Sequence, residues 1–347
     1  MGGEMGGDMD RHAPRVTIGI PVYNGENYLA KAIESALAQT YDDFEIVISD
    51  NASTDRTAEI CREYAERDGR VRYLKNEVNL GASPNYRRTF DEARGEFFCW
   101  MPHDDAMLPE FLARCVEVLD AEPDVVLAYS YYLIRQASDD PTPLLAGRDA
   151  DLRLPTAHER IRVYFREQLI GPNWPIFGLY RRSVLGETQL LRPLIGADDY
   201  VTLEVVVRGK VAQIPEELYV LRTHPDAWHE ARQRDRKGLA RIFGTETKWA
   251  AEWFDPANKS LKVVFPHWRR LREYFLVFWR SPASIRSKVS MTAVLPRYAA
   301  HRWKRLAKEA LVGTLQWIVV TVRSLLSALV GAGSSSEAGG DPARSKP

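Results

Sequence analysis

Residues 16–50 read VTIGIPVYNGENYLAKAIESALAQTYDDFEIVISD, and their hydrophobic pattern changes twice. Val16–Val22 is a short apolar run that suits a buried strand, whereas Tyr28–Thr40 carries apolar residues at helical spacing. Phe44–Ser49 then returns to a strand pattern. The order strand, helix, strand predicts a right-handed crossover between two parallel strands.

The same alternation continues to about residue 134. Further strands are predicted at 71–75, 96–101 and 125–134, separated by helices at 55–67, 85–93 and 109–120. Later helices are predicted at 157–169 and 198–208, and short strands at 175–180, 211–214 and 218–221. The chain therefore predicts an α/β fold with a mainly parallel sheet flanked by helices, whose ligand crevice lies beyond the carboxyl ends of the strands.

The composition is that of a globular protein, but the charge is unevenly distributed. The 347 residues are 45% hydrophobic and 27% charged, which excludes collagen-like and wholly disordered chains. Lys plus Arg and Asp plus Glu are 47 each, yet residues 259–310 hold thirteen Lys/Arg and two Asp/Glu. The net charge of zero thus conceals an acidic body and a basic C-terminal region, and it argues against a protein that coats nucleic acid.

The cysteines and the chain ends define the predicted domains. Cys61, Cys99 and Cys115 are too few and too irregularly spaced for a disulfide framework, so we expect buried thiols in a reducing compartment. Residues 1–14 lack an apolar stretch and predict a disordered leader, and 331–347 predict a disordered tail. Between them we expect an α/β domain over 15–230 and a basic, Trp-rich helical extension over 231–330.

Polar residues follow each of the first four strands. They occupy residues 23–27, 50–55, 76–85 and 103–105. Such residues also occur in these loops simply because they cap helices and form turns. Four such polar loops at one edge of the sheet nevertheless predict a ligand site.

Two carboxylate motifs in these loops suggest nucleotide chemistry. Asp104 and Asp105 are adjacent, and a hard divalent ion commonly bridges carboxylates to substrate phosphates, so the pair favours a diphosphate-bearing substrate. The alternative is that Asp105 merely caps a helix. Asp50 ends the second strand and could bind a base or a ribose hydroxyl, or form an Asx turn with Ser53.

In order and spacing these motifs resemble those of family 2 glycosyltransferases. The resemblance is carried by Ile20–Gly25, Ser49–Asp55, Asn79–Gly81, Ala93–Glu96 and Trp100–Asp105, and with later segments it covers roughly residues 16–225. It implies a GT-A fold, here with a C-terminal helical extension. It also implies a nucleotide-sugar donor, a divalent metal, Mn²⁺ or Mg²⁺, and transfer with inversion at the anomeric carbon.

The resemblance also assigns residues to the donor site. It implies that the nucleotide-sugar is bound by Pro21, Tyr23, Asn24, Asp50, Asn85 and Asp104. The metal would be held by Asp105. Family members often have a further Asp where this chain has Pro102, so metal binding would depend mainly on Asp105.

An inverting transfer also needs a base that takes the proton of the acceptor hydroxyl. Residues 196–200 resemble the family's acidic pair at a helix start, which implies Asp199 as the base and leaves Asp198 as the second candidate. The alternative, without a catalytic role, is that the helix dipole favours two acidic residues at this position.

Residues 219–225 resemble the family's Arg-x-His-Pro segment. The resemblance implies that His224 completes the metal shell and that Arg222 neutralises the leaving diphosphate. His224 could equally be a packed side chain. Trp174 suits either a platform for an acceptor sugar or core packing.

The extension has the composition of an interface. Six of the nine tryptophans lie after residue 248, among Lys and Arg. Residues 311–330 are apolar over about the length of a bilayer but include Arg323, which suits a helix lying in the membrane interface or packed on its own domain. We expect docking on an anionic membrane at the cytoplasmic face, where a glycan or lipid-linked acceptor would be met.

Two other functions compete with a transferase. A non-catalytic nucleotide-sugar-binding scaffold would keep the fold without the chemistry, and the carboxylates at 50, 104, 105 and 199 weigh against it. A nucleotidyltransferase would normally have a Gly-rich phosphate loop after the first strand, and Tyr23–Gly25 is not one. No nucleic-acid partner is expected.

Overall fold

The computed structural model describes residues 13–136, 151–170, 175–194, 196–224 and 266–311, together with the single positions 314 and 322. The predicted tail lies outside the described residues, as do nearly all of the leader and most of the 311–330 segment.

Eight strands form one mixed sheet in the order β3-β2-β1-β4-β7-β6-β8-β5. The strands are β1 Val16–Val22, β2 Phe44–Asp50, β3 Val71–Lys75, β4 Phe97–Trp100, β5 Ala106–Met107, β6 Val125–Gln136, β7 Leu179–Arg181 and β8 Lys210–Thr223. Neighbours β1/β2, β1/β4, β2/β3 and β6/β8 are parallel, whereas β4/β7, β6/β7 and β5/β8 are antiparallel. The predicted α/β fold is confirmed, with an antiparallel component that the strand–helix alternation did not indicate.

Helices connect the strands and continue beyond them. They are α1 Leu29–Leu37, α2 Thr57–Arg67, α3 Ala82–Asp91, α4 Phe111–Ala121, α5 Ala157–Ile170, α6 Arg182–Gly186, α7 Ala197–Arg208, α8 Pro266–Arg280, α9 Ile285–Thr292 and α10 Leu295–His301. Each predicted helix in the first 208 residues is present, with ends that shift by a few residues. No helix among the described residues is both long and apolar enough to cross a membrane.

Two predictions about the later strands were wrong. Residues 175–177 form a 3₁₀ turn before the short strand β7, and the two strands predicted at 211–214 and 218–221 are one strand, β8. The Pro215–Glu217 stretch suggested a break, but β8 passes it with a register shift against β6. A bulge of this kind accommodates a residue without a backbone N–H.

The core has two hydrophobic clusters, which the alternating side chains of β4 separate. Phe97 and Cys99 belong to one cluster, and Phe98 and Trp100 belong to the other. The second cluster also contains Tyr164 and Phe165 of α5, Tyr200 of α7, and Tyr274, Phe278, Met291 and Tyr298 of the C-terminal helices. The described part of the extension therefore packs into the same core as the sheet. The three cysteines are buried free thiols, as predicted.

Candidate active site at the carboxyl edge of the sheet

The loops after β1 and β2 lie side by side at the carboxyl edge of the sheet and are held together. Val22 pairs with Asp50 where the two strands end. Asn24 donates its backbone N–H to the Ser53 hydroxyl at 2.9 Å, and its Oδ1 accepts the Thr54 N–H at 2.9 Å. Asn24 adopts a positive φ of 50°, which Asn tolerates better than most residues. The structure thus brings the first two predicted loops into one surface.

The residues predicted for the base and ribose pocket differ in exposure. Pro21 is buried within β1, whereas Tyr23 and Asn24 are exposed at the rim. Exposed Tyr23 offers a ring face on which a planar base could stack.

Asp50 is fully buried at the end of β2. Its Oδ1 accepts the backbone N–H of Ser53 at 2.9 Å, which is the Asx turn considered above, and its Oδ2 accepts the Tyr73 hydroxyl at 2.9 Å. Burial and then the bond to Asp50 raise the pKa of Tyr73 well above its usual value. Both carboxylate oxygens therefore already have protein donors.

Asn85 is also buried, and it joins the ends of two strands. Its side-chain amide donates to the carbonyls of Val22 at 3.3 Å and Ser49 at 2.9 Å. Its Oδ1 accepts the Ser49 hydroxyl at 2.7 Å and the Asn76 amide at 3.0 Å. Asn76 donates in turn to Asn51 at 3.0 Å. The residue predicted to lie near the nucleotide thus belongs to an asparagine network that supports the rim.

The two adjacent carboxylates after β4 have different partners. Asp104 Oδ2 lies 3.0 Å from His224 Nε2, at the end of β8. Asp105 is buried; its Oδ1 accepts the Arg222 backbone N–H at 3.0 Å, and its Oδ2 accepts the Tyr219 hydroxyl at 3.3 Å. The structure therefore pairs His224 with Asp104 rather than with Asp105, the residue predicted to share the metal with it.

The electrostatics of these carboxylates also differ. Burial acts to raise the pKa of Asp104, but the hydrogen bond with His224 and the nearby His103 outweigh it, so the pKa is lowered. Burial and then the charge of Asp104 hold the pKa of Asp105 well above its usual value. Burial lowers the pKa of His103, which favours a neutral ring. Asp104 is therefore the carboxylate of the pair that stays charged.

Arg222 and Tyr28 complete this side of the site. The Arg222 Nε donates to the Asp104 carbonyl at 3.0 Å, and its guanidinium lies 5.3 Å from the centre of the Tyr28 ring. The Tyr28 ring also lies against His224, with 4.6 Å between ring centres. Tyr28 was not predicted as a site residue, because its position before α1 reads as an ordinary helix start.

Asp198 and Asp199 begin α7, as predicted. The Asp198 side chain remains accessible to solvent, but the surrounding protein removes part of the water around its carboxylate. This desolvation, together with the charge of Asp199, raises the pKa of Asp198 to about 6. Asp199 Oδ2 lies 3.4 Å from Nη1 of Arg270 in α8. Arg270 was missed because it is one of many Lys and Arg residues in a basic stretch.

The pKa of Tyr86 in α3 responds to carboxylates of both acidic pairs. Burial raises its pKa first, and the charges of Asp104, Asp105 and Asp198 raise it further. Trp174, the predicted sugar platform, lies outside the described residues.

No group of three or more His, Cys, Asp or Glu side chains forms a metal cluster within the described ranges. Asp104 and His224 instead offer two ligand atoms close together, a carboxylate oxygen and an imidazole nitrogen.

Residues 17–188 match the family model described as glycosyl transferase family 2. Among curated proteins, the chain is 36% identical over 129 residues to an uncharacterized glycosyltransferase of Rickettsia typhi, a stretch that covers 37% of this chain and 39% of that protein. The chain thus spans about two fifths of the length of this relative.

Two solved structures have the same fold at low sequence identity. Staphylococcus aureus TarS 1–349 in complex with UDP aligns with a TM-score of 0.51 at 17% identity, over 86% of this chain and 90% of TarS 1–349. The mannosyltransferase PcManGT from Pyrobaculum calidifontis in complex with GDP-Man and Mn²⁺ aligns with a TM-score of 0.51 at 16% identity, over 94% and 81% of the two chains. The chain belongs to glycosyl transferase family 2 and has the GT-A fold.

Proposed function

We propose that the protein transfers a sugar from a nucleotide-diphosphate sugar to a hydroxyl acceptor, with inversion at the anomeric carbon. The observation that carries the proposal is the junction at the carboxyl edge of the sheet, where Asp104 Oδ2 lies 3.0 Å from His224 Nε2 and Asp105 accepts the Arg222 backbone N–H at 3.0 Å, in a chain that matches the family model over residues 17–188. Cell-surface polysaccharide or glycolipid synthesis is the pathway class that we propose.

The donor would bind across the loops after β1, β2 and β4. Tyr23 and Asn24 lie at the exposed rim and would bind the base and ribose. Asp104, which lies 3.0 Å from His224, would bind a ribose hydroxyl or the diphosphate. Asp50 would read the base through an oxygen that keeps a second lone pair beside its Ser53 or Tyr73 partner. Asn85 would act indirectly, because its hydrogen bonds fix the ends of β1 and β2. These assignments rest on the family motifs together with the positions observed.

The residues present suit a divalent metal. Carboxylate ligands favour Mg²⁺ and Mn²⁺, which commonly use one or two protein ligands and take the remainder from phosphates and water. We propose Asp104 and His224 as the ligand pair, with Asp105 orienting the loop through Arg222 and Tyr219. A bound ion would offset the negative charge that builds on the leaving diphosphate. The fold neighbour PcManGT, whose structure holds GDP-Man and Mn²⁺, supports this choice.

The residue of this chain that would take the proton of the acceptor lies at the start of α7. The acceptor hydroxyl oxygen would attack the anomeric carbon while the bond from that carbon to the diphosphate oxygen breaks, and the electron pair would leave with the nucleoside diphosphate. Asp199 would accept the hydroxyl proton. Arg222 would place positive charge near the leaving group, because its guanidinium is anchored to the Asp104 carbonyl and the Tyr28 ring.

The C-terminal helices suit an anionic membrane surface at the cytoplasmic face. Trp268, Trp279 and Trp303 are exposed large hydrophobics, although other members of these helices are buried in the core. Exposed tryptophans among Lys and Arg favour the interface of a membrane that contains acidic lipids. A lipid-linked or glycan acceptor would then be met at the same surface.

A donor panel tests the proposal. Full-length protein would be mixed with UDP-, GDP- and dTDP-sugars and Mn²⁺ or Mg²⁺, and released nucleoside diphosphate would be identified by mass. We expect turnover of at least one donor, and its loss in Asp104→Asn. Binding without turnover in every mixture would favour the scaffold alternative, and absence of binding would refute the proposal.

A further inference from the structure

The first helix of the extension reaches the candidate base. Arg270 of α8 places its Nη1 3.4 Å from Asp199 Oδ2. Its Nη2 lies so near Gly196 that a β-carbon there would come within 2.9 Å of it. Gly196 also has a positive φ of 80°, so a side chain at 196 would be doubly unfavourable. The Arg270 guanidinium thus lies against the start of α7, next to Gly196 and Asp199.

A second ion pair fixes the loop that precedes α7. Arg192 Nη2 lies 2.7 Å from Oε2 of Glu273, a residue that is only 3% exposed. The Arg192 carbonyl accepts the hydroxyl of Ser83 in α3 at 2.9 Å. The loop before α7 and Asp199 itself are therefore tied to the same helix, α8.

Aromatic packing sets the position of α8 itself. The Tyr274 ring meets Phe165, Tyr200 and Tyr298 edge to face, with ring centres 5.0 to 5.9 Å apart. Such contacts fix geometry as well as burying apolar area. The Arg270 side chain therefore projects from a helix whose place is defined by the core and not by surface contacts.

The ion pair between Arg270 and Asp199 offsets the repulsion between two neighbouring carboxylates. Asp198 and Asp199 are adjacent carboxylates, and like charges this close oppose each other's ionisation. The charged and titratable groups around Asp199 include Asp198, Arg270, Tyr200 and Tyr274, and the Tyr164 hydroxyl donates to the Asp199 carbonyl at 3.4 Å. Arg270 is the cation of this set, and a base must be ionised before it can accept a proton.

We propose that Arg270 is a positioning residue for the base, so that the C-terminal helices form part of the catalytic site and do not serve only to dock the protein on a membrane. The inference rests on the proposed function, because it assigns Arg270 a role relative to Asp199 as base. It predicts that transfer depends on a residue far outside the matched region 17–188.

The test compares Arg270→Gln and Arg270→Lys with Arg286→Gln, a change of the same kind at an exposed position on α9. We expect Arg270→Gln to lower kcat by about ten- to a hundredfold, as for groups that orient a catalytic residue, while donor affinity stays within about threefold. The acid limb of its pH–rate profile should move to higher pH. Arg270→Lys should recover part of kcat and of the profile, and Arg286→Gln should match the wild type.

The pH–rate profile and a double variant distinguish a role in positioning the base from a merely structural role. If Arg270 acts through Asp199, then adding Arg270→Gln to Asp199→Asn should cause little further loss of residual turnover. Wild-type kcat and pH profile in folded Arg270→Gln would overturn the inference alone. Absence of turnover by the wild-type protein with every donor would overturn the proposed function, and this inference with it.

Discussion

His224 Nε2 lies 3.0 Å from Asp104 Oδ2, which joins the end of β8 to the loop after β4. These residues are 120 positions apart in the chain, and the contact joins the loop after β4 to the residue that follows β8, the last strand along the chain. The neighbouring bond between Asp105 and the Arg222 backbone at 3.0 Å reinforces the same junction. The late strand is thus as much a part of the site as the loops after β1 and β2.

Replacing His224 with Ala should weaken Mn²⁺ binding by about tenfold or more, because even residues that only support a metal ligand change affinity by that much. Manganese affinity would be measured by titration in the presence of nucleoside diphosphate. His158→Ala is the matched control, since His158 contacts Ser290 at 3.0 Å between α5 and α9. Equal Mn²⁺ affinity in His224→Ala and the wild type would contradict the ligand assignment.

Turnover should fall as the pH drops through about 6, where Asp198 takes up a proton. A raised pKa means that the ionised form of the acidic pair is complete only above that value. Asp198→Asn removes the like charge beside Asp199, so the acid limb of the pH–rate profile should move to lower pH with much of kcat kept. If Asp198→Asn instead abolishes transfer and Asp199→Asn does not, then Asp198 is the base.

Asn85→Ala should lower the free energy of unfolding by roughly 3 kcal/mol, because buried donors and acceptors that lose a partner cost about 1 kcal/mol or more each. The variant leaves the Val22 and Ser49 carbonyls and the Asn76 amide without this partner. Urea unfolding would measure the loss. Asn27→Ala, at an exposed asparagine on the same rim, is the control and should be close to neutral.

Membrane association should depend on exposed residues of the C-terminal helices. Trp268→Ala with Trp303→Ala, or Lys304→Glu alone, should reduce flotation with vesicles that contain phosphatidylserine, since each basic residue contributes about 1 kcal/mol near an anionic surface. Added salt should release the wild-type protein. Lys31→Glu, the same charge change at an exposed position of α1, should float normally. Wild-type protein that fails to float at low salt would refute the membrane proposal.

The sequence predicted the first half of the fold well because there the local patterns and the tertiary structure agree. Val16–Val22 is apolar throughout and pairs on both sides, as a central strand should. The later strands were harder. The two-residue β5 has no sequence pattern of its own, and Pro215 marks an irregularity within β8 rather than an end.

The sequence predicted individual candidate residues, but not the contacts between them. The motifs brought Asp104, Asp105, His224 and Arg222 together, whereas the choice of Asp104 as the partner of His224 depends on how β8 lies against the loop. Arg270 carries no sequence signal, because its role arises only when α8 packs on α7.

The most direct test of the central claim is transfer by Asp199→Asn with the best donor of the panel, measured by the mass of the glycosylated product and alongside donor affinity. The account predicts a loss of kcat of at least about a hundredfold, as expected for a general base, with donor affinity within about threefold of the wild type. Asp104→Asn should instead lose donor affinity in Mn²⁺. Wild-type kcat in Asp199→Asn would contradict the account.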